Sequence, residues 1–290
     1  MATKVSASQS NTLPSIQLLF TNHMDAWGMT LMVCVVAQIV HDAVTPTNML
    51  LTMGLVIGYW FAFSINDYFD APFDQMDAEK SAVNFFTNTS FSKTIILAIS
   101  LAITCFLLVL FIQFGVLGMS VLALSLFIAW AYSAPPLRLK NRPFLDLLTH
   151  GLFVETYPYA VMLLLMQVAP TVLDWTILAM MFCASLAAQL EQQLRDYEID
   201  LLEGENFTIR VGKPIAKRLL QGINAILIAI FATGVLTSLI PLRIAMFGFI
   251  SSIALVRRFF STDRSEWLVT LTVISGLVYT VGLLIWMGIK

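Results

Sequence analysis

The sequence predicts an all-α membrane protein whose helices enclose a central cavity. Three observations carry that prediction. The 290-residue chain is 58% hydrophobic and only 12% charged, with a mean hydropathy of +0.83, whereas an average soluble domain is about 25% charged. Apolar stretches on the order of 20 residues, the length a helix needs to cross a bilayer, recur from one end of the chain to the other. None shows the alternation of a membrane β-barrel strand, so helices, which satisfy their backbone polar groups internally, are the form these stretches take in lipid.

Nine such stretches can be marked, at residues 24–42, 47–66, 94–112, 115–132, 144–168, 172–195, 215–239, 241–259 and 267–289. A polar, interfacial segment, 1–23, precedes them and lacks the apolar core of a cleavable signal peptide. The rest, 24–290, reads as a single nine-helix domain. The first span is the weakest, because "NHMDAWGMTLMVCVVAQIVHDAV" has polar residues at both ends; His23 and His41 are expected at the interface. The second, "LLTMGLVIGYWFAFSI", holds hardly a polar atom until it runs into "NDYFDAPFD" at 66–74, where Pro72 is expected to kink or end the helix. Between spans four and five, "YSAPPLRLKNRP" (132–143) is too rich in proline to be helical at its centre. The fifth span carries Glu155 about eleven residues from its start, an ionisable group at mid-membrane and so a site hypothesis by default. The sixth leaves the membrane as "QLEQQLRDYEIDLLEG", with Gln189, Gln193, Asp196, Asp200 and Glu203 at near-helical spacing.

Charge sets the orientation. With a cytoplasmic N-terminus, 14 of the 16 Lys and Arg fall inside and only Arg243 and Lys290 outside, the bias that the positive-inside rule describes; nine crossings then put the C-terminus on the opposite side. On the same map Asp42 and Asp174 are the outer acids among 18. The longer connections, 67–93, 133–143, 196–214 and 260–266, all lie on the inner face, which is where chemistry is expected. The sequons at Asn88 and Asn206 are therefore expected to be unused. A net charge of -2 and the lack of a long basic tract argue against a nucleic-acid partner. Cys34, Cys105 and Cys183 stand singly in apolar runs and read as packing residues.

At 100° per residue, Asp67, Asp70 and Asp74 fall on one helix face. Two carboxylates about 5.5 Å apart repel by roughly 3 kcal/mol at an effective dielectric of 20, a cost that a hard divalent cation with oxygen ligands removes. Asp196 and Asp200 repeat the DxxxD spacing of Asp70 and Asp74 at the same side of another span. Either pair alone is equally an ordinary solvated helix end. Two pairs facing one side, with Lys80, Arg138, Lys140, Arg142, Arg210 and Lys213 in the loops around them, describe a site for a phosphate group carried on magnesium.

These residues carry a resemblance. "NDYFDAPFD" resembles the NDxxDxxxD signature of the UbiA superfamily of intramembrane prenyltransferases, "DYEID" its second DxxxD, "YSAPPLRLK" the segment between its fourth and fifth helices, and "TIRVG" the sequence after its second acid motif. The resemblance implies Mg2+ bridging Asp70/Asp74 and Asp196/Asp200 to the diphosphate of an allylic prenyl donor, with Asn66 and Asp67 completing the first metal set. It implies Lys80, Arg138, Lys140 and Arg210 around the diphosphate, and transfer of the prenyl group to a hydrophobic acceptor inside the lipid bilayer. Tyr59 and Phe63 lie deeper on the second helix, where rings stabilise a carbocation and exclude water, or simply pack.

The chain departs from the family pattern at Gln192 and Gln193, where many members have an acid and an asparagine, at Phe207-Thr208, and at "DAEKSAVN", which leaves Lys80 as the nearest cation. Glu155 is a candidate for orienting the acceptor or taking a proton, or for a bond to a neighbouring helix. Asp146 and His150, four apart, read as a carboxylate and imidazole pair or as a helix-end hydrogen bond. The wording of "YSAPPLRLKNRPFLDLLTHGLF" and "DQMDAEKSAVN" is most similar to the branch containing carotenoid-elongating enzymes, which implies a lycopene-type polyene acceptor; aromatic quinone precursors, chlorophyllides and glycerol-phosphate lipids stay open. A cation-coupled transporter is the alternative of another class, but it would more typically place its acids at midplane within internal repeats.

Overall fold

The computed structural model describes residues 20–76, 78–87, 92–261 and 264–288, the side chains of Glu79, Leu202 and Glu203 excepted. The Asn88 sequon, Lys4, Lys290 and most of the 1–23 segment lie outside the described residues, as does the Glu203 side chain.

The described residues form a helical ring. It begins with α1 (Met24–Val40) and α2 (Pro46–Asp74), the latter opened by Thr45, whose hydroxyl accepts from the Asn48 amide, and by Pro46 in the first turn. Helix α2 runs two residues past Pro72 without ending there, because a proline so near the C-terminus removes only one of the last backbone bonds. A short α3 (Ala78–Val83) leads to α4 (Lys93–Ile112), capped by Ser92, and α5 (Gly115–Ser133). After the proline loop come α6 (Leu145–Gly151) and α7 (Tyr157–Leu165). Helix α8 (Val172–Arg195) starts with a reciprocal Thr171/Asp174 capping box and is followed by α9 (Tyr197–Glu203), α10 (Phe207–Val211), α11 (Lys213–Leu236), α12 (Leu242–Phe260) and α13 (Glu266–Gly288). Helix α13 packs back on α1 and closes the circuit.

Among the described residues, six helices are long and apolar enough to cross a membrane: α2, α4, α5, α8, α11 and α13. The other three expected spans are helical but differ. Helix α1 is apolar and has 17 residues. Helix α12 carries Arg243 in its first turn and Arg257 and Arg258 in its last. The fifth span is not one α-helix, since a π-helical turn, Leu152–Thr156, separates α6 from α7. Pro158 accounts for the break: it has no N–H to give to the preceding turn and its ring crowds the carbonyl there, and a widened turn relieves both.

Large apolar side chains such as Leu97, Val109, Val116, Leu236 and Phe260 point outward from the ring, as in a chain solvated by lipid. Inside, Cys34, Ile39, Leu51, Leu107, Tyr159 and Met162 form the core of one half. Cys34 is buried as a packing residue, whereas Cys105 faces outward. One end of the ring is tied by buried Asp174, which accepts from the Tyr159 hydroxyl at 2.7 Å and the Thr171 amide at 2.7 Å and pairs with His41 at 3.0 Å. His41 thus has a structural partner and is not merely interfacial. Asp42, next to His41 in sequence, lies 3.8 Å from Arg243, which also donates to the Ile39 carbonyl at 3.4 Å, so Arg243, Asp42 and Asp174, three of the residues assigned to the outer face by charge, gather at the same end.

Candidate active site

A cavity of about 250 Å³ opens within the ring. One wall is a row on α2 in which every fourth residue contributes: Gly54, Gly58, Ala62, Asn66, Asp70 and Asp74. Such i, i+4 rows run obliquely to a helix axis, and here the row passes from no side chain, through small ones, to carboxylates. The deep end is closed by Leu107, Phe111, Leu122, Leu126 and Ile128. Tyr59, Phe63, Phe153 and Tyr157 line the cavity as well. The Tyr59 hydroxyl donates to the Phe153 carbonyl in the π-helical turn, so the break in the fifth span fastens that turn to α2.

All four aspartates of the paired motifs, Asp70, Asp74, Asp196 and Asp200, line this one cavity, together with Lys80 and Lys140. The members of each pair are held differently. Asp70 is bound by Lys140 and lies 3.5 Å from Arg138, and Asp196 takes Arg195 at 2.7 Å and 3.1 Å and Lys80 at 3.5 Å. The second aspartates each also take a neutral amide: Asn84 Nδ2 donates to Asp74 Oδ2 at 2.7 Å, and Asn206 Nδ2 donates to Asp200 Oδ2 at 2.7 Å. Asn66 accepts a 2.8 Å hydrogen bond from Ser133. With four carboxylates and two ammonium groups on the wall, the lining carries an excess of two negative charges, and its donors are hard oxygens. That donor set fits a divalent cation of the Mg2+ type; among the described residues no group of three or more acidic, histidine or cysteine side chains is gathered closely enough to hold one by itself.

Several expected site residues do not reach the cavity. Asp67 is buried away from it, with its carboxylate taken by His23 at 2.8 Å and Asn22 at 3.2 Å. His23 also rests on Phe63, 4.9 Å between ring centres, so the turn after Phe63 presents its acid to the entry of α1. Burial pulls the His23 pKa down, but the hydrogen bond and charge of Asp67 outweigh it and hold the imidazole above its ordinary value. Glu155 sits in the π-helical turn and is not among the lining residues. Arg138 stands behind Asp70, its guanidinium 4.4 Å from the centre of the Phe73 ring, and Arg210 pairs with Glu205 at 3.1 Å on the exposed surface. Asp146 and His150 do not pair. Asp146 accepts from Gln193 and from the Phe207 amide, both at 2.7 Å, while His150 lines the cavity and bonds the Ser185 carbonyl at 3.1 Å.

Gln193, a departure from the family pattern, completes that network by accepting from the Thr208 amide and hydroxyl at 3.2 Å and 2.8 Å. The chain after α9 is thereby fixed against α6 and α8, which carries Asn206 to Asp200. Asn84 and Asn206 escaped the sequence reading. A signal was present, for each acid motif is followed by an asparagine and buried phenylalanine, "NFFT" at 84–87 and "NFT" at 206–208.

The model of the UbiA prenyltransferase family matches residues 26–271. A lycopene elongase/hydratase of Corynebacterium glutamicum is 33% identical over 140 residues, 48% of each chain, and one of Haloarcula japonica is 33% identical over 100 residues, 33% of this chain and 32% of that one. The chain spans about half the length of the curated relatives it matches. Among solved structures, a UbiA homolog from Archaeoglobus fulgidus bound to GPP and Mg2+ superposes with a TM-score of 0.68 at 18% identity, over 92% of this chain and 98% of that one. The same homolog bound to DMAPP and Mg2+ gives 0.67 at 18% identity, over 91% and 98%.

Proposed function

This chain belongs to the UbiA prenyltransferase family and is a multi-pass integral membrane protein, and on that premise we propose that it transfers a prenyl group from an allylic diphosphate to a hydrophobic acceptor, releasing diphosphate. The observation that carries the reading is the single cavity lined by Asp70, Asp74, Asp196 and Asp200 at one end and by apolar side chains at the other. Bound Mg2+ supplies the positive charge that the leaving diphosphate requires.

The chain's own residues do the rest. Asp70, Asp74, Asp196 and Asp200 would hold the metal, and Asn66, oriented by Ser133, would complete the first set. Lys80 and Lys140, already in the cavity, stabilise the oxygens of the leaving group as the allylic carbon–oxygen bond breaks and its electron pair departs. Arg138 acts through Asp70, which it faces at 3.5 Å. Asp67, Glu155 and Arg210 have no part in this reading, because none lines the cavity. Tyr59 and Phe63 present ring faces to the allylic cation and keep water from it. An electron pair of the acceptor then bonds to the allylic cation, and the proton that the acceptor loses passes to the released diphosphate.

The names of the relatives support a polyene of the lycopene type as acceptor. The charge distribution supports an active site on the cytoplasmic side, with nine crossings over 24–290 and termini on opposite faces.

The test is to incubate purified protein with labelled C5, C10, C15 and C20 allylic diphosphates, with and without Mg2+, against polyene, aromatic and lipid acceptors. Magnesium-dependent diphosphate release with a prenylated polyene is expected. No release with any donor overturns the enzymatic reading, and release only with another acceptor overturns the polyene.

A further inference from the structure

The two acid motifs are held by the same device. In each, the second aspartate accepts from a buried carboxamide of the loop that follows: Asn84 is 2% exposed and Asn206 8% exposed. Neither amide is free to flip. Asn84 Oδ1 accepts from the Phe86 amide at 2.9 Å, and its Nδ2 also donates to the Asp67 carbonyl at 2.9 Å. Asn206 Oδ1 accepts from the Ile209 amide at 2.9 Å as the cap of α10. With the oxygen committed to a backbone N–H, the nitrogen of each amide must point at its carboxylate.

The chemistry of that choice is specific. An amide donor orients a carboxylate without adding the positive charge of a lysine, which would repel an incoming cation. The loops that deliver the amides are anchored by the next residues, Phe85 and Phe207, each buried. We infer that Asn84 and Asn206 are positioning residues that hold Asp74 and Asp200 in the orientation a divalent ion needs. This rests on the metal-dependent reading of the cavity given above.

The test is Mn2+ binding to the full-length chain in lipid nanodiscs, followed by the electron paramagnetic resonance of free Mn2+ with no prenyl diphosphate present. Asn84→Ala and Asn206→Ala are each expected to weaken Mn2+ binding by about tenfold or more, the effect typical of losing a group that orients a metal ligand. A purely structural role would lower the unfolding temperature and leave the affinity of the folded protein unchanged. Asn206→Ser separates the two outcomes, because serine keeps the helix cap while losing the reach to Asp200; it is expected to bind Mn2+ as weakly as the alanine variant at nearly the parent's stability. If the parent binds Mn2+, Asp70→Asn abolishes that binding, and all three asparagine variants bind as the parent does, this inference fails alone. If the parent binds no Mn2+, the metal reading fails and takes the inference with it.

Discussion

Lys80 Nζ lies 3.5 Å from Asp196 Oδ2, so the loop that follows the first acid motif reaches across the cavity to the second. The same ammonium also attracts Asp74. One side chain therefore faces both motifs.

Replacing it separates two functions. Lys80→Met removes a cation that competes for Asp196, so Mn2+ binding is expected to be as tight as in the parent or tighter. Turnover is expected to fall by about 10²-fold, the scale of losing one donor to a developing negative charge. Titration of Mn2+ beside initial rates of diphosphate release checks the split; equal weakening of both would contradict it.

Asp70→Asn and Asp196→Asn are expected to lower diphosphate release by about 10²–10³-fold while the protein stays folded, because asparagine has nearly the same shape and keeps an oxygen that accepts from Lys140 or Arg195. Chelation of divalent ions should silence the parent, and added Mg2+ should restore it. Retained turnover in Asp70→Asn would remove that residue from the reaction.

Two glycines on the same row of α2 make opposite predictions. A Cβ on Gly58 meets nothing within 4 Å, so Gly58→Leu should fold normally, fill the cavity and slow the C20 donor far more than the C5 donor. A Cβ on Gly54 already falls 3.2 Å from the Phe111 ring and 3.3 Å from Leu110, so the same replacement there, Gly54→Leu, should cost about 1–3 kcal/mol of stability by overpacking. Unfolding temperatures and donor competition assays measure both.

Asp146→Ala leaves Gln193 and the Phe207 amide without their acceptor in a buried position. Destabilisation of about 2–4 kcal/mol is expected, with loosening of the α9–α10 connection read by amide hydrogen exchange.

The His23 and Asp67 pair predicts a pH effect. The imidazole pKa is raised in the folded protein above its ordinary 6.5, so its stabilising contribution is complete below that value and is lost as pH rises through the folded one. On the alkaline side of 6.5 the unfolding temperature of the parent should therefore fall more steeply than that of His23→Gln.

The acid pairs were legible because DxxxD is a local spacing and α2 and α8 are regular where it occurs. Asp67 shows the limit of the same reasoning. Its angular position is close to that of Asp74, but His23, 44 residues earlier, takes its carboxylate, and no periodicity within α2 reveals a partner on another helix. Asn84 and Asn206 were hidden for a related reason: each reaches its aspartate only because a loop doubles back. Hydropathy marked the fifth span as one piece, since it counts apolar residues and is blind to the backbone donor that Pro158 lacks.

The π-helical turn also absorbs one residue without turning the helices on either side of it. Five residues of the wider turn sweep about the same angle as four of an α-helix, so excising any one residue from 152–156 would restore ordinary winding and leave α6 and α7 nearly in phase. The bonds that Asp146 makes to Gln193 and Phe207 would survive such a deletion, whereas the Tyr59 hydroxyl would lose the Phe153 carbonyl that the widened turn offers it. The extra residue works as a rivet hole, freeing one backbone oxygen through which a neighbouring helix is pinned.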